Sequence, residues 1–296
     1  MSADWVPLAP DRYHLAEGAR WHHGRLLFVD LLAGDLYTCG ARPGDTPDRL
    51  LGLGVPLGAA EPLADGSGGW IVAAGTGIAA VGPDGRVHWL GRPEEHAATP
   101  MRMNDGACDP SGRFWAGSMA ADGAPGAGSL YRVDPDGSVH RALTGLSVPN
   151  GPAFSPSGTV MYLADSGRGD ILRYPLDAAT GELGQPSVLV TVPIGQGRPD
   201  GMTVDDDGLL WVALWGAGQV RAYTDRGSLE CTVPVPTPHV SSVAFGGGRM
   251  FVTTARHRLS RPDVLAGAVL SRPCAVTAPA ARAFGAAPRA VTEGEG

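Results

Sequence analysis

The stretch GLLWVALWGAGQVRAYTDRG (residues 208–227) reads as two short strands in succession. A Gly-led run of large apolar residues is followed by a second run that enters an Asp-Arg-Gly turn. The first run returns as GRLLFVD (24–30), GGWIVAA (68–74), GRFWAG (112–117), GTVMYLAD (158–165) and GRMFVTT (248–254). The second returns as GDLYTC (34–39), GIAAVGPDG (77–85), GSLYRVDPDG (128–137), GDILRYPLD (169–177) and GAVLSRP (267–273). The aromatic markers Phe28, Trp70, Trp115, Tyr162, Trp211 and Phe251 are spaced 42, 45, 47, 49 and 40 residues apart. Six units of about 45 residues, each holding several short strands, match the blade of a β-propeller. A β-sandwich would not require one period held six times. The predicted fold is therefore all-β, a six-bladed β-propeller with four-stranded antiparallel blades.

Composition agrees with that reading. The chain has 44 Gly and 26 Pro, 70 of 296 residues, while 43% of residues are hydrophobic. That Gly/Pro load disfavours long helices, and the regular apolar runs argue against disorder. The last unit is short of strands, so the first 15 or so residues are expected to supply an outer strand and close the ring. One domain over residues 1–285 is expected, with 286–296 a disordered tail.

The net charge of −7 argues against nucleic acid. All 23 basic residues are Arg, so Schiff-base and phosphate-loop lysine chemistry are excluded. No apolar run is long enough to span a membrane, and the amino terminus has no secretory pattern. Cys39, Cys108, Cys231 and Cys274 form no CxxC pair and are expected to be reduced thiols in a cytoplasmic protein. The expected partner is a small-molecule substrate, bound by a monomer or weak homodimer. The all-Arg, Gly/Ala-rich composition points to a high-GC bacterial genome.

The innermost strand of a propeller blade precedes the second strand and lines the channel. Upstream of the six aromatic markers by 9 to 12 residues stand Glu17, Glu61, Asn104, Asn150, Asp200, and His239 with Ser241. Asn-Gly and Asp-Gly are also common turn dipeptides, but a polar position in register in all six units favours a site over six turns. Glu17, Asn150 and Asp200, with Asn104 nearby, form an oxygen-rich set. Such oxygens suit calcium, magnesium or manganese, with zinc admissible. No HExxH or HxH is present for a His-built zinc site.

Four stretches carry a family resemblance: LAEGARWHHGRLLFVD (15–30), RMNDGACDPSGRFWAGSM (102–119), GLSVPNGPAFSPSGTVMYLADS (145–166) and RPDGMTVDDDGLLWVALWGAGQVRAY (198–223). SSVAFGGGRMFVTTAR (241–256) adds a fifth. Over roughly residues 10–285 the chain resembles the senescence-marker-protein, gluconolactonase and regucalcin family of metal-dependent six-bladed propellers. The resemblance implies one divalent ion, calcium first, held by Glu17, Asn150 and Asp200. It implies Asp200 as the general base. It also implies that Arg102 and Asn104 hold substrate oxygens, with Asp105 grouped beside them as the residue that orients the segment.

Two departures bear on specificity. Some sugar-lactone members place a Glu just after the third blade's TM, whereas SMAADGAPGAG (118–128) has Asp122 as its only charge. After Glu17 the chain reads Gly18-Ala19, where Pro is common in the family. The function expected is metal-dependent opening of a lactone, such as glucono-1,5-lactone or a related aldonolactone. The alternatives are a tailoring enzyme of specialised metabolism, an organophosphate-type esterase on the same site, and a non-catalytic calcium-binding protein. IVAAGTGIAA (71–80) contains GxGxxA but leaves no room for the crossover helix of a dinucleotide site, and GxSxG is absent.

Overall fold

The computed structural model describes residues 5–285, so the expected tail at 286–296 lies outside the described residues. After β1 (Val6–Pro7), the strands fall into consecutive sets. Blade 1 is β2 (Ala16–His22), β3 (Arg25–Asp30), β4 (Asp35–Cys39) and β5 (Asp48–Gly52). Blade 2 is β6 (Leu57–Pro62), β7 (Trp70–Ala74), β8 (Gly77–Val81) and β9 (Val87–Gly91). Blade 3 is β10 (Met101–Cys108), β11 (Phe114–Ala120), β12 (Gly128–Val133) and β13 (Val139–Leu146). Blade 4 is β14 (Pro149–Phe154), β15 (Val160–Asp165), β16 (Asp170–Pro175) and β17 (Ser187–Thr191). Blade 5 is β18 (Arg198–Val204), β19 (Leu210–Trp215), β20 (Gln219–Tyr223) and β21 (Leu229–Pro234). Blade 6 is β22 (Val240–Gly246), β23 (Arg249–Thr254) and β24 (Val269–Pro273), completed by β1.

The ring closes as expected. β1 pairs antiparallel with β24, Val6 opposite Ser271, and gives the last blade its outer strand. Both repeated runs of the sequence are found in place, as the second and third strands of every blade. The fold is an all-β six-bladed propeller, with no helix among the described residues. Accordingly, none of them forms a helix long and apolar enough to cross a membrane.

The core is divided into six wedges, each packed between neighbouring sheets. Trp115 and Leu130 of blade 3 meet Met161 and Leu163 of blade 4, for example. Blade 6 meets blade 1 through Phe251 and Phe28. Two markers carry a polar tether: Trp115 Nε1 donates to Asp109 Oδ2 (3.1 Å) and Trp211 Nε1 to Asp205 Oδ2 (2.7 Å). Each such bond to a buried carboxylate contributes about 1.5–3 kcal/mol and pins the hairpin to the wedge.

Every innermost strand carries a register break. The breaks lie at Glu17/Arg20, Leu57/Ala59, Met103/Gly106, Asn150/Ala153, Pro199/Met202 and Val240/Ser242. Bulges re-aim side chains and end regular pairing, and here they do so at one level of the ring.

Candidate functional site

Four of the residues marked by the sequence converge at one mouth of the channel. Glu17, Asn104, Asn150 and Asp200 line a single cavity of about 630 Å³. Each stands at or inside the bulge of its strand, which turns its side chain toward the axis.

The neutral members are held by a continuous chain of hydrogen bonds. Ser166 Oγ donates to Pro199 O and accepts from Asn150 Nδ2 (2.8 Å). That fixes the Asn150 amide with Oδ1 as acceptor, where it receives Asn104 Nδ2 (2.9 Å). Asn104 Nδ2 also donates to Pro149 O (2.9 Å), and Asn104 Oδ1 accepts from Arg102 Nη1 (2.6 Å). Arg102 spends that same nitrogen on Met103 O (3.0 Å), so its Nε and Nη2 make no hydrogen bond among the described residues.

The carboxylates are treated differently. Glu17 Oε2 is buried with no hydrogen-bond partner. Burial, with Asp105 and Asp30 adding repulsion against the pull of Arg102, pushes the Glu17 carboxyl up to about 8. Burial first, and then the charge of Glu17, also raises Asp200 well above its ordinary value. Two buried acids with one guanidinium between them are costly to ionise.

This is the observation against which the implied metal can be tested. An orphaned carboxylate oxygen, a second carboxylate and an amide oxygen with a lone pair left over are donors for a hard divalent cation. No group of three or more His, Cys, Asp or Glu side chains gathers as a metal cluster among the described residues. The third donor here is the Asn150 amide, so the set is all-oxygen with two carboxylates. The residues fit the ion.

Asp105 sits elsewhere. Grouped with the substrate-binding residues by sequence, it does not line the cavity. Its carboxylate accepts the N–H groups of Gly106 (2.8 Å) and Gly151 (2.9 Å) and lies 3.6 Å from Arg20 Nη2. It shares the bulge with Asn104, so the two side chains leave the strand in different directions. Asp105 ties blade 3 to blades 1 and 4, consistent with orienting the segment.

Three other channel-register residues are not at the site. Glu61 is the fifth residue of its strand and faces the opposite end of the channel, where it accepts Arg20 Nε (3.1 Å). The level of the site is occupied in blade 2 by Gly58. A Cβ there would lie 2.1 Å from Asn104 O, so only glycine lets the two strands approach. Ser241 donates to Ala16 O, joining blade 6 to blade 1. His239 stacks on Trp215 with ring centroids 4.1 Å apart.

Sequence reasoning missed the outer cavity wall. Arg198, Trp215, His257 and Arg258 all line it, as does Asp122, whose Oδ1 accepts the Ala124 N–H. Arg198 was legible in principle: it precedes Asp200 by two residues, as Arg102 precedes Asn104. His257 and Arg258 arrive on a loop with no repeat pattern, and only the closure of the ring brings them here.

Comparison with known proteins places the chain in a family. The sequence model of the SMP-30/gluconolactonase/LRE-like region matches residues 15–256. The chain is 35% identical to the pentonolactonase XacC of Haloferax volcanii, covering 81% of each. It is 32% identical to a 6-deoxy-6-sulfogluconolactonase of Pseudomonas putida, over 81% of this chain and 82% of that one. A crystal structure described as a calcium-binding protein, regucalcin, from Agrobacterium tumefaciens superposes with a TM-score of 0.86 at 27% identity. That superposition covers 95% of this chain and 97% of the other.

Proposed function

The chain belongs to the SMP-30/gluconolactonase/LRE-like family, and on that footing we propose that it hydrolyses a lactone, a sugar-acid lactone such as glucono-1,5-lactone or a related aldonolactone. The observation that carries the reading is the pair of buried, uncompensated carboxylates at the floor of an open cavity, with a guanidinium beside them. A purely structural ion site has no use for a cavity-facing Arg with two donor nitrogens unspent.

When held by Glu17, Asn150 and Asp200, a divalent ion (calcium first; zinc, manganese or magnesium next) supplies Lewis-acid polarisation of the ester carbonyl and the charge that lets both carboxylates ionise. Arg102 offers Nε and Nη2 to the oxygens of the bound lactone, while Asn104 fixes the Arg102 side chain through its Oδ1. Asp200 is the base. It takes a proton from water as the water oxygen bonds to the carbonyl carbon, then returns a proton to the ring oxygen as that C–O bond breaks. A hydroxy acid leaves. Glu17 keeps the floor polar, and Asn150 ties the strand that carries Asp200 through the Ser166–Pro199 link.

The test is a pH-indicator assay on a panel of aldonolactones with an organophosphate ester as an added arm. The protein is stripped with chelator and refilled separately with calcium, magnesium, manganese or zinc. Lactone turnover that disappears on stripping and returns with one ion is the expected result. A folded sample that binds the ion and opens no lactone would overturn the reading in favour of a non-catalytic ion-binding protein.

A further inference from the structure

The inner strands present two tiers of side chains to the cavity, because residues two apart on a strand share a face. The lower tier is Glu17, Asn104, Asn150 and Asp200; two residues upstream of each stand Leu15, Arg102, Val148 and Arg198, all lining the same cavity. The upper tier is thus apolar on blades 1 and 4 and cationic on blades 3 and 5. Arg258 adds a third guanidinium from the loop after β23.

Arg102 is accounted for by Asn104 and by the carboxylates below it. Arg198 and Arg258 are not. Both are exposed and, like several other arginines of the chain, make no ion pair and no side-chain hydrogen bond among the described residues; these two differ from the others in lining the cavity. If the two floor carboxylates balance a divalent ion, three guanidiniums face Asp122 as the only other acid of the cavity.

Arg258 is also held under strain. Its φ is +61°, a left-handed conformation that L side chains with a Cβ rarely adopt. Such strain persists where the surroundings over-determine the backbone, and it collects at binding sites. Here the preceding residues are pinned on three sides. Arg256 and His257 N–H both donate to His14 O (3.1 and 3.0 Å), and Ala255 N–H donates to His239 O (3.0 Å). His239 Nδ1 lies 3.0 Å from His257 O. The loop is built so that Arg258 stands over the cavity.

We propose that the cavity selects lactones that carry an anionic group, carboxylate, sulfonate or phosphate, at the end remote from the ester, and that Arg198 and Arg258 bind that group. This rests on the lactonase reading above. A cavity of about 630 Å³ leaves room beyond a six-carbon ring for such a substituent. Guanidiniums without a partner are suited to an oxyanion, which they meet with charge-assisted and often bidentate hydrogen bonds. The third-blade stretch SMAADGAPGAG (118–128) brings only Asp122 as an acid to that side of the cavity.

The test compares neutral glucono-1,5-lactone with 6-phosphoglucono-1,5-lactone and with a glucaro-lactone, on metal-loaded protein. Equilibrium binding of gluconate and 6-phosphogluconate is measured calorimetrically beside it. The expected result is a kcat/KM at least about tenfold higher for one or both anionic lactones, and a ratio that falls about tenfold in Arg198→Gln and in Arg258→Gln. The carboxylate and phosphate arms tell which oxyanion is preferred. Arg258→Gly relieves the left-handed strain, so it should keep or raise Tm while losing the anionic preference; a purely structural Arg258 would change both substrates alike. A neutral lactone opened as fast as the anionic ones, with the ratio unmoved in the variants, overturns the inference and leaves the lactonase reading standing. If no lactone is opened but 6-phosphogluconate still binds in an Arg198- and Arg258-dependent way, the lactonase reading falls and the anion site stands. Loss of both the turnover and the Arg-dependent binding overturns the two together.

Discussion

The two ends of the channel bury the same kind of group and differ in how closely a guanidinium meets it. At the open end Glu17 and Asp200 are 7% and 5% exposed, and a carboxylate oxygen of Glu17 has no partner. At the far end Glu61 is 2% exposed and its Oε2 is likewise without a partner, but its Oε1 is met directly by Arg20, which donates Nε to it (3.1 Å), Nη1 to Ala19 O (2.9 Å) and Nη2 to Gly106 O (3.0 Å). The far end is also covered. Residues 277–285 cross it, Ala281 N–H donating to Trp21 O (2.7 Å), Phe284 N–H to Pro62 O (2.8 Å) and Gly285 N–H to Gly112 O (2.9 Å). What remains beneath that strap is a cavity of about 70 Å³. Where a guanidinium bonds directly to the buried carboxylate, the group holds blades together. On the function proposed above, Glu17 and Asp200, to which no guanidinium bonds directly, are the groups kept for a ligand.

The largest effect that could break this contrast is at Asp200. Asp200→Asn should lower lactone turnover by about a thousandfold or more while ion binding persists, since amide oxygen still coordinates but cannot take a proton. Unchanged turnover would remove the base from the mechanism. Next comes the far end. Arg20→Ala leaves Glu61 and Asp105 buried without a counter-charge and should cost about 3–5 kcal/mol, read as a lower denaturation midpoint. A loss no larger than that of an ordinary surface Arg would show that the strap and channel water already screen the pair.

A smaller effect concerns pH. Burial pushes the Glu61 carboxyl from 4.5 up to about 7, with Arg20 opposing. A raised carboxyl favours the fold while protonated, so its contribution is full below about 4.5 and is lost as pH rises through about 7. Glu61→Gln keeps an acceptor for Arg20 Nε and removes the titration. Its stability relative to the parent should therefore climb by up to roughly 3 kcal/mol between pH 4.5 and 8. A flat difference across that range would mean that Glu61 is ionised throughout. The smallest effect expected is from deleting residues 278–296. That removes Phe284 from its packing against blades 2 and 3, so Tm should fall by several degrees while kcat/KM at the other mouth holds within a few-fold. A collapse of turnover would show that the two ends are coupled through Asp105.

The fold was legible because two of the four strands in each blade are buried on both faces and carry a repeated apolar signal, as in β3 and β7. The outermost strands gave little: β5, β9, β17 and β21 are largely exposed, so their residues are free to vary and no pattern marks them. Glu17, Asn104, Asn150 and Asp200 were legible because bulges hold polar residues 11 or 12 positions before their aromatic markers. Glu61 misled for a simple reason. It lies 9 residues before its marker where Glu17, Asn104 and Asp200 lie 11 before theirs, and a two-residue shift along a strand preserves the face but moves the side chain about 7 Å toward the other mouth.

The sequence by itself determined the number of blades, their order, the closing strand and the oxygen-rich character of the channel, since each follows from local periodicity and side-chain chemistry. Tertiary structure alone decided which end of the channel each carboxylate faces, that Asp105 lies outside the cavity, and that Arg198 and Arg258 reach one cavity from two separate parts of the chain. Those outcomes depend on bulge geometry and on six sheets meeting around an axis, and distances across an axis leave no trace in the spacing of residues along a strand.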